Sequence, residues 1–275
     1  MTMRWLFEGF AMPSDADLKK IKAAGFETLI LGLNDEDDPN RDGHEQRANR
    51  PDPSDLTDVF RFRHKNARDR YLRIMDTAQN LDLGIALMPW CRTTKAYNES
   101  AAEAVLPLTD HPSCVGVVHD TERFWHKLLP PGMNHEQAVA EHWVPCWAEK
   151  GVSNYVTDYA YMPKSVKPLL PHMCGALPQA LSRSSWIPRG DVYRAGRTQK
   201  AAHASWSKHL EDDQLLIIEI AAYDQSKHPE GVRGALNKQA STASDLADGF
   251  AWWSYRACPK SWWKHLVESN LRHGA

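Results

Sequence analysis

Short apolar blocks alternate along this chain with longer stretches whose apolar residues recur at helical spacing, and the alternation runs from one end to the other. Residues 4–8 make the first block. Pro13-Ser14-Asp15 follows, and the Ser/Asp pair caps a helix that runs to about residue 24 and stops at Gly25. Residues 26–33 (FETLILGL) read as a second strand, apolar enough to be buried on both faces. A polar insertion at about 34–60 then interrupts the rhythm with the acidic run Asp35 to Asp38. Residues 65–81 return to helical spacing, with Tyr71, Leu72, Met75 and Ala78 on one side.

The later elements repeat this order. Strands are predicted at 84–90, 114–119, 152–158, 171–177, 214–220 and 249–255. Helices are predicted at 97–106, 136–150, 163–170, 198–210, 232–246 and 260–271. Strands that alternate with helices imply a parallel sheet joined by crossovers. Eight such units in 275 residues match the roughly 250 residues of a closed barrel. No G-x-G-x-x-G follows the first strand, which removes the mark of a dinucleotide-binding open sheet. The expected fold is therefore α/β: a single (β/α)8 TIM-type barrel over residues 1–275, with the polar insertion after its second strand.

Composition narrows the function classes. Apolar residues at 42% and charged residues at 25% describe a chain able to build a core. A net charge of −2 argues against a nucleic-acid partner, which demands excess Lys and Arg. No stretch approaches the roughly 20 apolar residues of a membrane span. The N-terminus lacks the apolar core and small-residue cleavage site of a signal peptide, so synthesis in the cytoplasm is expected, with any action at a cell wall depending on a phage-type release. Cys91, Cys114, Cys146, Cys174 and Cys258 are scattered without metal spacing and read as buried free thiols. The 11 Trp residues suit either core anchoring or flat sugar platforms.

In such barrels the chemistry sits at the C-terminal ends of the strands. Those positions hold Glu8, Asn34, Trp90, Asp120 with Glu122, Asp158, Glu219 with Asp224, and the stretch that includes Trp252 and Tyr255. Strand alternation is expected to put Asp120 and Glu122 on one face, where two carboxyl groups cannot both ionise easily. A carboxyl kept protonated in this way is a general acid. Pairing with Arg92 or Arg123 is the purely structural alternative. Glu219 lies inside the run LLIIEI, and Glu8 between Phe7 and Gly9, so each must be paired or functional. Asp158 precedes Tyr159 and Tyr161, which puts a carboxylate beside aromatic surface. Trp90, Asn34, Tyr159, Trp252, Tyr255 and Asp224 are the expected substrate contacts, and Glu122, Asp120, Glu219, Glu8 and Asp158 the candidate catalytic groups.

The strand that ends in Asp120-Thr121-Glu122 resembles the D-x-E at the fourth strand of glycoside hydrolase family 25 lysozymes, barrel muramidases common among phage endolysins. The resemblance implies Glu122 as proton donor and Asp120 as assisting carboxylate. It also implies an acidic residue at the end of the first strand, where this chain has Glu8. The expectation is a cofactor-free glycosidase acting on an amino-sugar polymer, above all peptidoglycan. Two other classes stay open: a metal-dependent hydrolase or lyase using Glu8, His119, Asp120 and Asp158, and a glycan-binding barrel without catalysis.

Overall fold

The computed structural model describes residues 2–9, 12–33, 59–62, 66–127, 129–183, 185 and 193–274. Eight parallel strands follow one another in chain order and close into a barrel. They are β1 (Met3–Gly9), β2 (Thr28–Gly32), β3 (Gly84–Met88), β4 (Cys114–Asp120), β5 (Asn154–Tyr159), β6 (Gly175–Gln179), β7 (Leu215–Ala221) and β8 (Gly249–Trp253). The seam pairs β1 with β8, from Met3 opposite Gly249 to Phe7 opposite Trp253. The expected barrel is thus the observed one. The expected insertion at about 34–60, with Asn34, lies outside the described residues except for 59 and 60.

Helices cover the outside: α1 (Asp15–Ala23), α2 (Ala67–Asn80), α3 (Lys95–Thr109), α4 (Glu122–Lys127), α5 (His135–Ala138), α6 (Arg197–Trp206), α7 (Gly231–Leu246) and α8 (Trp263–His273). Local chemistry explains their ends. Ser14 and Asp17 form a reciprocal capping box at the start of α1. Gly25, just past its end, takes a left-handed φ of +83°, which a residue with a Cβ rarely adopts. Among the described residues no helix is long and apolar enough to cross a membrane.

Three predicted elements differ. The helix expected at 136–150 is α for only His135–Ala138, continues as a π turn over Val139–Trp143, and ends in a 3-10 turn at Ala148–Lys150. Large Trp143 and Trp147 pack here around His119, with ring centroids 5.0 and 4.8 Å from the imidazole, and both indoles are buried. The strand expected at 171–177 begins at Gly175, because Lys164–His172 form a 3-10 helix that takes in Pro168 and Pro171. Glu122 starts α4, where an extended continuation of β4 was expected.

Side chains alternate between two apolar layers, as the pleat requires. Trp5, Phe7, Ile30, Met88, Val118, Tyr155, Leu177 and Ile217 fill the barrel interior. Leu6, Leu29, Leu31, Val117, Val156, Ile218 and Phe250 face the helices. Trp125, Trp143, Trp147, Trp206 and Trp252 are fully buried, so a large part of the Trp content anchors the outer packing. The cysteines are all free, with Cys91 and Cys146 buried, Cys114 and Cys258 half-buried and Cys174 exposed, which corrects the expectation that all five are buried.

The seam leaves no room for an added carbon at Gly249, where a Cβ would stand 2.6 Å from both Cβ and the carbonyl oxygen of Met3. Gly249→Ala must spread β1 from β8, and is expected to destabilise the barrel by about 1–3 kcal/mol, read as a lower midpoint in urea unfolding with an unchanged slope.

Candidate active site

The interior face of the barrel changes character abruptly near the C-terminal ends of β4 to β7. Val118, Tyr155, Leu177 and Ile217 belong to the interior apolar cluster. Two residues further along, on the same face of each strand, stand Asp120, Thr157, Gln179 and Glu219. β8 and β1 contribute aromatic surface, with Phe7 and Trp253 stacked at a centroid distance of 3.7 Å. The mouth therefore has a polar wall and an aromatic wall over an apolar floor.

Two direct hydrogen bonds knit the polar wall. Gln179 Nε2 donates to Glu122 Oε1 at 2.6 Å. Thr157 Oγ1 donates to Glu219 Oε1 at 2.8 Å, across from β5 to β7. The backbone N–H of Glu122 leans on Asp120 Oδ1 at 3.4 Å. The Asp120 backbone joins the end of β3, bridging Trp90 and accepting from the N–H of Cys91 at 2.7 Å. Asp120 is 3% exposed and Glu219 is 1% exposed, whereas Glu122 is half-buried. Of these three carboxyl groups Glu122 is therefore the least buried.

Electrostatics follow from this burial. Asp120 is pushed well above the usual carboxylate range, first by desolvation and then by the charges of Glu122, Asp158 and Glu219. Glu219 is also pushed well above its ordinary value, by desolvation and by Glu122, against the opposing bond from Thr157. Its Oε2 is buried without a hydrogen-bond partner, as suits a carboxyl group held in its neutral form. Tyr223, just beyond β7, has its phenol raised by burial, with Glu219 and Glu122 acting in the same direction and Arg183 opposing. Arg183 stacks over that ring at 4.8 Å.

The other sequence candidates separate from this cluster in instructive ways. Glu8 lies in β1, but its side chain is outside the described residues, as is Asn34. Asp158 is buried on the outward face of β5, opposite in parity to Thr157. Tyr159 is 44% exposed at the end of β5. Trp252 is fully buried and faces the helices, where its Nε1 donates to Asn270 Oδ1 at 3.3 Å. Trp253 is the inward member of that pair, as alternation from Ala251 dictates. Tyr255 turns toward α1, donating to Asp17 Oδ1 at 2.8 Å. Asp224, at a left-handed φ of 56°, accepts from the Ser185 hydroxyl and so ties the loop after β7 to the loop after β6.

His119 decides the fate of one expected ligand set. It faces the helices, its Nε2 meets Asn154 Oδ1 at 2.9 Å, and burial lowers its pKa to about 4. It stands on the opposite face of β4 from Asp120, so the two cannot share a metal ion. Among the described residues no group of three or more His, Cys, Asp or Glu is placed to hold one. The side chains that sequence reasoning missed are Gln179, Thr157 and Tyr223, and of the pair Trp252 and Trp253 it took the member that faces outward. Gln179 lies past the strand expected at 171–177, and Thr157 and Trp253 follow from strand parity once one inward residue of each strand is known.

No protein-family model matches the chain and no curated protein matches it. Solved structures do match over nearly the whole chain. An endo-β-1,4-mannanase from Thermotoga petrophila aligns at a TM-score of 0.62 with 11% identity, covering 100% of this chain and 78% of that one. An endocellulase from Pyrococcus horikoshii gives 0.60 with 10% identity, covering 100% and 93%. A chitinase from Rhizomucor miehei gives 0.60 with 9% identity, covering 99% and 100%. At such identities the likeness establishes a shared barrel fold.

The raised carboxyl groups link stability to pH. A group whose folded pKa lies above its unfolded value stabilises the fold below the unfolded pKa, and that contribution is lost as pH rises through the folded pKa. The contribution of Asp120 and Glu219 to stability should therefore decline as pH rises above the ordinary carboxylate range. Glu219→Gln, neutral throughout, should soften that decline, so that its melting temperature gains on the wild type as pH rises toward alkaline values. Parallel melting curves for the two proteins across pH would refute this burial argument.

Proposed function

We propose that this chain is a glycoside hydrolase that cleaves an amino-sugar polymer by carboxyl general-acid catalysis, with Glu122 as proton donor. One observation carries the reading: Glu122, less buried than Asp120 and Glu219, is held by Gln179 at 2.6 Å and backed by the buried Asp120. A proton donor to a glycosidic oxygen becomes a carboxylate in the transition state. Here that carboxylate accepts the Gln179 N–H and meets a neutral Asp120, so its charge arises next to a donor and away from a second charge. The Phe7–Trp253 stack supplies a flat apolar wall for a sugar ring opposite the acid. Glu219 lies deeper, and a sugar ring that gains positive charge above it would favour its ionised form.

The kinds of enzyme that share the barrel support glycan hydrolysis, since they are described as a mannanase, an endocellulase and a chitinase. The D-x-E resemblance ranks peptidoglycan first among the polymers, and the chitinase neighbour ranks chitin beside it. Release of reducing ends from peptidoglycan sacculi, glycol chitin, carboxymethyl cellulose and mannan tests the reading. Wild type should hydrolyse an amino-sugar polymer, and Glu122→Gln should lose about 100- to 10,000-fold in kcat, the usual contribution of a general acid. Its melting temperature should stay within a few degrees of wild type. Undiminished turnover by Glu122→Gln would overturn the assignment.

A further inference from the structure

Several hydrogen-bond partners crowd the oxygens of Asp158. Its Oδ2 lies 2.5 Å from Thr121 Oγ1 and 2.9 Å from His126 Nε2. Its Oδ1 accepts the Tyr159 N–H at 2.6 Å and lies 3.1 Å from the same His126 nitrogen. His126 is held in turn, with Nδ1 2.7 Å from Ser165 Oγ. Asp158 is fully buried and faces away from the barrel interior. A carboxylate satisfied in this way has little capacity left to exchange a proton with a glycan in the mouth.

The donors it gathers share one feature. Thr121 is the residue immediately before α4, and His126 is its fifth residue. Between them, as the first residue of that helix, stands Glu122. α4 is only six residues long, too short to hold its own direction by internal hydrogen bonds. Thr121 is also anchored to Thr157 O, which its N–H reaches at 3.1 Å and its Oγ1 at 2.9 Å, so its one hydroxyl proton is shared between that carbonyl and Asp158. Trp125 Nε1 donates to Ser165 O at 2.8 Å, so the helix is also pinned to the segment after β5.

We propose that Asp158 is a positioning residue: its carboxylate, buried on the outer face of β5, clamps Thr121 and His126 at the two ends of α4 and thereby sets where Glu122 meets Gln179 and Asp120. The Glu122 carboxyl then has two fixed supports, Gln179 from β6 and the clamp beneath its own helix. Misplacement of a reacting group by about 1 Å is enough to cost about 100-fold in rate. The kinetic consequence rests on the glycosidase reading; the geometric one does not.

The test uses the full chain and three variants, Asp158→Asn, Thr121→Val and Thr121→Ser. Asn at 158 keeps the shape but cannot accept from Thr121, His126 and Tyr159 together. Val at 121 removes the hydroxyl at nearly constant volume, and Ser restores it. Crystal structures of all three should show the barrel unchanged. The Gln179–Glu122 bond should be broken in Asp158→Asn and Thr121→Val and retained in Thr121→Ser. On glycol chitin or peptidoglycan sacculi, the first two should lose about 100-fold in kcat with KM unchanged, and Thr121→Ser should match wild type. An intact Gln179–Glu122 bond in Asp158→Asn and Thr121→Val overturns the proposal, whether kcat is kept or lost. Should Asp158→Asn fail to fold, the Thr121 pair decides by the same criteria. A wild type inactive on every polymer would sink the glycosidase reading alone, and the crystal structures would still decide the clamp.

Discussion

Carboxyl groups brought together out of water cannot all keep their charge, and this constraint organises the top of the barrel. Asp120 and Glu219 are almost wholly buried, near Glu122 and near each other, and among the described residues no cation is paired with either. Desolvation and mutual repulsion act in the same direction, toward the neutral form. The protein meets the constraint in two ways. On the inner face it leaves the carboxyls short of donors, one bond from Thr157 to Glu219 and a long backbone contact to Asp120. On the outer face it surrounds Asp158 with a hydroxyl, an imidazole and a backbone N–H. The same residue type is thus pushed toward its neutral form on one side of the sheet and surrounded by hydrogen-bond partners on the other.

The barrel makes that division available. A strand presents successive side chains to opposite layers, so Thr157 and Asp158, adjacent in sequence, serve different surroundings. The interior apolar cluster beneath the mouth provides the low-dielectric floor that amplifies every charge above it. The outer layer, with its buried indoles, holds the strands in the register that sets Gln179 beside Glu219. Closure of β1 on β8 brings Phe7 and Trp253 together as the aromatic wall, a pairing between residues near opposite ends of the chain.

That barrels with about 10% identity share this architecture is consistent with what the fold requires. A closed parallel sheet asks for inward and outward apolar positions and crossover helices, which very different sequences supply. The site asks for more: particular polar residues two positions beyond the last apolar inward residue, on four adjacent strands. What sets this chain apart from other barrels is therefore the set Asp120, Glu122, Gln179 and Glu219, with the fold as their frame.

The order of elements, the capping of α1 by Ser14, the buried runs of β2 and β7 and the acidic strand ends were all legible in the sequence, because each depends on residues within a few positions of one another. Asp120, Glu122, Glu219, Glu8 and Asp158 were legible as candidate groups for the same reason, since a carboxylate in or beside an apolar strand announces itself; which of them converge was not. Only the tertiary structure decided that Glu122 begins a helix, that Gln179 is its partner, that Trp253 rather than Trp252 faces the interior, and that Asp158 grips Thr121 and His126 from behind. Those outcomes depend on which face of each strand turns inward and how neighbouring strands are staggered. Closure and packing of the whole barrel set both, and no local window of sequence contains them.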